Sequence, residues 1–106
     1  MSEGVSAEDI QSVARELQIV RNQIQTISSQ VSEYGITIEA LSNQDPSRPI
    51  YRSLGNILLE VEDREVLLSD LEEAKKAVEE HLKRLIGRED SLRKQYENMA
   101  EEFEGA

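Results

Sequence analysis

The chain has no cysteine, no tryptophan, one phenylalanine, one histidine and two prolines among 106 residues. Without cysteine there is no disulfide framework and no thiolate metal site. Aromatics make up 4% of the residues, too few for the aromatic-anchored core usual in a globular domain of this length. No apolar run approaches the roughly 18 residues needed to span a bilayer as a helix. The first six residues, Met1 to Ser6, hold neither a basic region nor an apolar stretch of the kind a secretory signal requires. Basic charge is also short: the formal net charge is −10. An acidic balance of that size argues against nucleic acid or an anionic membrane as the main partner. The expectation is a soluble, cytoplasmic chain that contacts neither.

What is abundant is charge, at 32%, with Glu, Gln, Lys and Leu prominent. That composition belongs to long helices and coiled coils. Ile10, Val13, Leu17, Val20, Ile24, Ile27, Val31, Tyr34, Ile38 and Leu41 follow one another in alternating steps of three and four. Such steps define a heptad seam, with Ile10, Leu17, Ile24, Val31 and Ile38 at a and the others at d. Ser6 and Asp9 have the spacing of a capping box, and Asp45-Pro46 follows the last seam residue. A first helix is predicted over residues 7–42. Ser28, Ser29, Ser32 and Gly35 are poor helix formers and predict that its second half is the softer one.

Both prolines lie in the turn-rich stretch Asn43 to Pro49. Two short β-prone runs, Ile50 to Leu54 and Ile57 to Val61, then flank Gly55-Asn56, which predicts a β-hairpin over residues 49–61. Two isolated strands are marginal in water. The helical pattern resumes after Asp63, a suitable N-cap, and predicts a second helix over 63–104. Leu71, Val78, Leu85, Leu92 and Met99 form one column. The other is mixed, running Leu68, Lys75, Leu82, Glu89, Tyr96 and Phe103. Gly87 is a candidate bend. Folding back at the hairpin pairs the helices antiparallel, with Tyr34 near Leu71, Ile27 near Val78, Val20 near Leu85 and Val13 near Leu92. The predicted fold is mainly α: one domain over 1–106, a long coiled-coil hairpin with a short β-hairpin at its bend.

The segment from Ile50 to Val61, with its aliphatic-Tyr-basic start, Gly-Asn turn and aliphatic second strand, resembles the hairpin of prefoldin β-class subunits. Glu33-Tyr34 through Leu41 followed by Asp45-Pro46-Ser47-Arg48 is similar to the eukaryotic subunit 2 branch, while Gly55-Asn56-Ile57-Leu58 reads equally well as archaeal β. α-class subunits carry two hairpins, and a single Gly-centred strand pair favours β. The resemblance implies a hexamer of two α and four β subunits whose hairpins join into β-barrels. It further implies helical tentacles that hold non-native polypeptides at their tips for transfer to a group II chaperonin, without a cofactor.

On that reading Ile50, Tyr51, Leu54, Ile57, Leu58, Leu59 and Val61 serve subunit assembly. Client contact falls to seam residues at the end remote from the hairpin, where no further layer pairs with them: Ile10, Val13, Leu17, Leu92, Tyr96, Met99 and Phe103. Glu97, Glu101, Glu102 and Glu104 surround Met99 and Phe103, either as a plain solvated helix end or as an acidic rim that keeps apolar tips soluble. Catalysis finds no support. His81 stands on a charged helix, Glu72-Glu73 and Glu79-Glu80 are neighbours that diverge, and no phosphate loop or metal-ligand spacing occurs. The other open reading is a coiled-coil adaptor in which the hairpin only reverses the chain.

Overall fold

The computed structural model describes residues 4–105. It comprises α1 (Ala7–Asn43), β1 (Tyr51–Leu54), β2 (Ile57–Glu60) and α2 (Arg64–Gly105). The body is a rod of 73 × 25 × 16 Å, as two helices of 37 and 42 residues at 1.5 Å per residue require.

Local chemistry fixes each boundary. Ser6 Oγ accepts from the Asp9 amide at 3.1 Å, and the Ser6 amide donates to Asp9 Oδ2 at 3.1 Å. This reciprocal pair satisfies two donors that a helix start otherwise leaves open. At the other end of α1, Gln44 takes an extended conformation and its amide donates to the Leu41 carbonyl. Pro46 disfavours helical geometry at Asp45 before it. Asp63 starts α2, its Oδ1 accepting from the Val66 amide at 3.1 Å. Both helices run unbroken through their internal glycines, Gly35 and Gly87.

The helices fold back antiparallel, and ion pairs report the register. Arg21 meets Glu89 at 3.3 Å, and Glu16 meets Arg88 at 3.5 Å. Glu89, which interrupts the apolar column of α2, is thereby matched by a cation from α1. Lys75, the other interruption, lies over Gly35, where an added Cβ would stand 3.7 Å from Nζ.

Burial along the seam is uneven. Val13, Leu17, Val20 and Leu92 form a buried cluster at the half remote from the hairpin, with Ile24, Tyr96 and Met99 packed against it. Leu85 is buried in the same half, and Leu41 is buried beside the hairpin. Between Val20 and Leu41 the seam residues of α1 are only half-buried, as are those of α2 before Leu85. The physical reason lies in the flanks. Ser28, Ser32, Gly35 and Lys75 supply little apolar cover in the middle. Beside the remote cluster, Arg21 and Arg93 line a groove with Leu17 and Tyr96, where their stems add apolar cover while the charged heads stay in water.

Candidate functional surfaces

The hairpin is built by its turn. Gly55 has φ +59, and no described non-glycine residue has positive φ, so Asn56 does not share the left-handed conformation. Glycine alone in the first central position marks a type II′ turn, whose twist matches that of paired strands. The register pairs Tyr51 with Glu60, Arg52 with Leu59, Ser53 with Leu58 and Leu54 with Ile57. The Val61 amide donates to the Ile50 carbonyl at 2.8 Å and extends the ladder by one step.

Cross-strand partners share a face, so Ile50, Leu54, Ile57, Leu59 and Val61 stand on one side, around Arg52. Tyr51, Ser53, Leu58 and Glu60 stand on the other. All eight strand residues are exposed, and five of them, Tyr51, Leu54, Ile57, Leu58 and Leu59, are large and apolar or aromatic. Ile50 and Val61 are half-buried. Both faces of this two-stranded sheet thus carry uncovered apolar side chains.

The sequence pattern gave no sign of what anchors the hairpin to the rod. The Arg64 guanidinium donates to the carbonyls of Gln44 at 2.9 Å, Asp45 at 3.1 Å and Arg48 at 3.5 Å. The C-terminal end of α1 leaves carbonyls unpaired at the negative end of its dipole, and its last turn has no basic residue. Arg64 at the start of α2 meets that need only at the cap residue Gln44; its other two bonds hold the loop carbonyls of Asp45 and Arg48. Asp45 orders the same loop. Its Oδ1 accepts from the Ser47 amide at 2.9 Å and the Ser47 hydroxyl at 2.8 Å, and these bonds hold its carboxyl below the usual carboxylate range. Ile50, Glu60, Val61 and Arg64 also line a polar groove with the 46–49 loop, and its exposed ionised walls favour no apolar ligand.

The end remote from the hairpin differs from expectation. Val13, Leu17 and Leu92 were expected to offer client contact there, but they are among the most buried of the described residues, Leu92 at 5% exposure. Antiparallel pairing continues to that end, so these three side chains cover one another instead of facing outward. Ile10, Tyr96 and Met99 are half-buried, and Phe103 is 47% exposed. Accessible apolar surface at this end therefore centres on Phe103, with the open edges of Ile10, Tyr96 and Met99.

A charged belt stands beside it. Arg93 meets Asp90 at 2.6 Å, Glu97 at 3.4 Å and Glu89 at 3.8 Å, while Lys94 meets Asp90 at 3.0 Å. Lys94, by its hydrogen bond and then its charge, with Arg93 adding to it, keeps the Asp90 carboxyl below the ordinary range. Asp90 and Glu97 in turn raise the Arg93 pKa. Beyond Lys94 the described part of α2 carries only acidic charge, at Glu97, Glu101, Glu102 and Glu104.

Nothing in this geometry assembles a reactive centre. His81 is exposed and borders a shallow groove with Ile19, Asn22, Gln23, Thr26 and Ile27. Among the described residues no group of three or more His, Cys, Asp or Glu stands where it could hold a metal ion. No described helix is long and apolar enough to cross a membrane.

Comparison with known proteins places the whole architecture. The family model described as prefoldin subunit matches residues 6–105. Prefoldin subunit beta of Thermoplasma volcanium is 27% identical over 97 residues, 85% of this chain and 78% of that protein. Prefoldin subunit beta of Archaeoglobus fulgidus is 28% identical over 94 residues, 82% of this chain and 80% of that protein. The crystal structure of the prefoldin beta subunit from Thermococcus strain KS-1 has the same fold. It superposes with a TM-score of 0.79 at 15% identity, covering 93% of this chain and 91% of that one.

Proposed function

The chain belongs to the prefoldin subunit family, and from that premise we propose that it acts as a β-class subunit of a hexameric, ATP-independent holdase. In this reading its hairpin joins those of α-class and other β-class subunits. The helical rods then hold non-native polypeptides in the cytoplasm and present them to a group II chaperonin. The protein catalyses no reaction.

The observation that carries this reading is the hairpin, exposed on both faces and bearing large apolar side chains on each. Two strands alone are marginal, and an open apolar edge in a free chain invites pairing with other strands. Ile57 and Leu58 are 62% and 68% exposed, and covering side chains of this size stabilises by about 1–2 kcal/mol each. Pairing with neighbouring hairpins supplies both the missing strands and that cover.

Client contact is proposed for Phe103 and the accessible edges of Ile10, Tyr96 and Met99. Val13, Leu17 and Leu92 hold the two helices together beneath them. One exposed Phe binds weakly, but several rods on one particle act together through effective concentration. Met99 suits such a surface because its side chain is flexible and polarizable.

Two experiments test the two halves. Ile57→Ser with Leu59→Ser, mixed with an α-class subunit and sized by native mass spectrometry, should leave the helices folded and abolish the hetero-oligomer. An unchanged complex would contradict assembly through the hairpin. Phe103→Ser should leave assembly intact while weakening suppression of the aggregation of a denatured protein. Full suppression by that variant would remove the tip from the account.

A further inference from the structure

Ile36 is 68% exposed, as exposed as any large apolar residue described in the chain. Its place in the heptad explains why. With Ile38 at a and Tyr34 at d, residue 36 falls at f, opposite the seam, where α2 cannot reach it. Ile36 nevertheless lies beside other apolar groups. With Thr37, Ala40, Leu41, Gln44, Pro49 and Ile50 it lines an open groove of about 400 Å³. No lining residue is ionisable, in a chain that is 32% charged. One wall is the flank of α1 from Ile36 on the outer face to the seam residue Leu41, and the other is Pro49-Ile50, the lead-in to β1.

We infer that this groove is a second wall of the subunit interface, a socket that receives an apolar side chain from the hairpin of a neighbouring prefoldin subunit. The inference rests on the assembly reading above and extends it from the strands to the helix. Three observations select this occupant. The groove is continuous with the hairpin through Ile50, so a strand added beside β1 arrives at its mouth. The hairpin carries exposed apolar side chains on both faces, and joining strands into a barrel encloses only one of them. The other face, with Leu58 at 68% exposure and Tyr51 at 55%, needs cover of a different kind, and an uncharged groove at a neighbour's helix base provides it. The chain's own hairpin leaves these residues exposed, so the cover comes from another copy of the fold. A client segment is a poorer match, since the groove stands at the opposite end of the rod from Phe103.

The test uses the full complex with an α-class partner. Ile36→Asp places a charge in the groove without disturbing the seam, and circular dichroism of the free chain should be unchanged. The fraction of chain in the complex should fall about tenfold or more near the assembly midpoint, the range for losing a central apolar contact. Ile19→Asp, at a comparably exposed isoleucine far from the hairpin, should change it less than about twofold. A photo-crosslinking amino acid at position 36 should join residues 50–61 or their counterparts in a neighbouring subunit. Crosslinks formed only with added client, or only within the same chain, would overturn the inference, as would a complex indifferent to Ile36→Asp. If Ile57→Ser with Leu59→Ser also leaves the complex intact, the assembly reading itself fails. If only Ile36→Asp is silent, the socket alone fails.

Discussion

Three glycines offer a direct check on the backbone, because the same substitution should act in opposite directions. Gly35 and Gly87 lie inside helices, where glycine is less favourable than alanine by about 1 kcal/mol. An added Cβ at Gly35 would meet Lys75 Nζ at 3.7 Å and Cε at 3.9 Å, which is ordinary contact, and at Gly87 it would meet nothing within 4 Å. Neither site subtracts a clash from the gain. Both substitutions restrict the unfolded chain at positions whose folded conformation alanine accepts. Gly35→Ala and Gly87→Ala should each stabilise by about 0.5–1 kcal/mol, and they are far enough apart along the rod for their effects to add. Together they should raise the thermal midpoint by roughly 5–15 °C for a domain near this size. Gly55 also has open space, but its φ of +59 is strained for alanine, and Gly55→Ala should cost about 1–2 kcal/mol wherever the hairpin is formed. Melting followed by far-ultraviolet circular dichroism reads the helical pair, and loss of assembly reads Gly55. A lower midpoint for Gly35→Ala would refute the continuous helix and the packing of Lys75 over Gly35.

Other perturbations probe separate parts of the molecule. Leu92→Ala removes a side chain from the buried cluster and should cost about 2–5 kcal/mol in denaturant unfolding, whereas Val31→Ala in the half-buried middle should cost well under that. Arg64→Ala removes three carbonyl partners at the hairpin's root and should destabilise by about 1.5–3 kcal/mol, with faster proteolysis at residues 44–49. Asp90 has a folded pKa held below its ordinary 3.8, so its contribution is present above the unfolded value and is lost as pH falls through the lowered folded one. Asp90→Asn should therefore flatten the acid limb of the stability curve below about pH 4 and abolish that share of its pH dependence.

The long elements were legible because their signals are local or periodic. Ten seam positions in α1 keep the step of three and four, Ser6 and Asp9 announce a cap, and Gly55-Asn56 announces a turn. The antiparallel pairing followed from equal distance to the hairpin; Glu16–Arg88 lies within one residue of the register so obtained, whereas Arg21–Glu89 lies five residues from it. What could not be read was how burial is distributed. A heptad gives Ile27 and Val20 the same status. The depth of each depends on flanking side chains from both helices, which are small or polar around Gly35 and Lys75 and long near Arg21 and Arg93. For the same reason Val13, Leu17 and Leu92 read as accessible to a client and proved buried. Nothing in the pattern singles out Arg64, because its partners Gln44, Asp45 and Arg48 approach it only once the connection has folded back. Ile36 broke the polar pattern of the outer face in plain view, but its meaning depended on where Pro49 and Ile50 come to rest.

The account stands or falls on assembly. Native mass spectrometry of the purified chain, alone and mixed with an α-class prefoldin subunit, should give a hetero-hexamer with two α subunits and four copies of a β-class chain in the mixture. A chain that keeps the same mass with and without that partner, while its helices remain folded, would contradict the account.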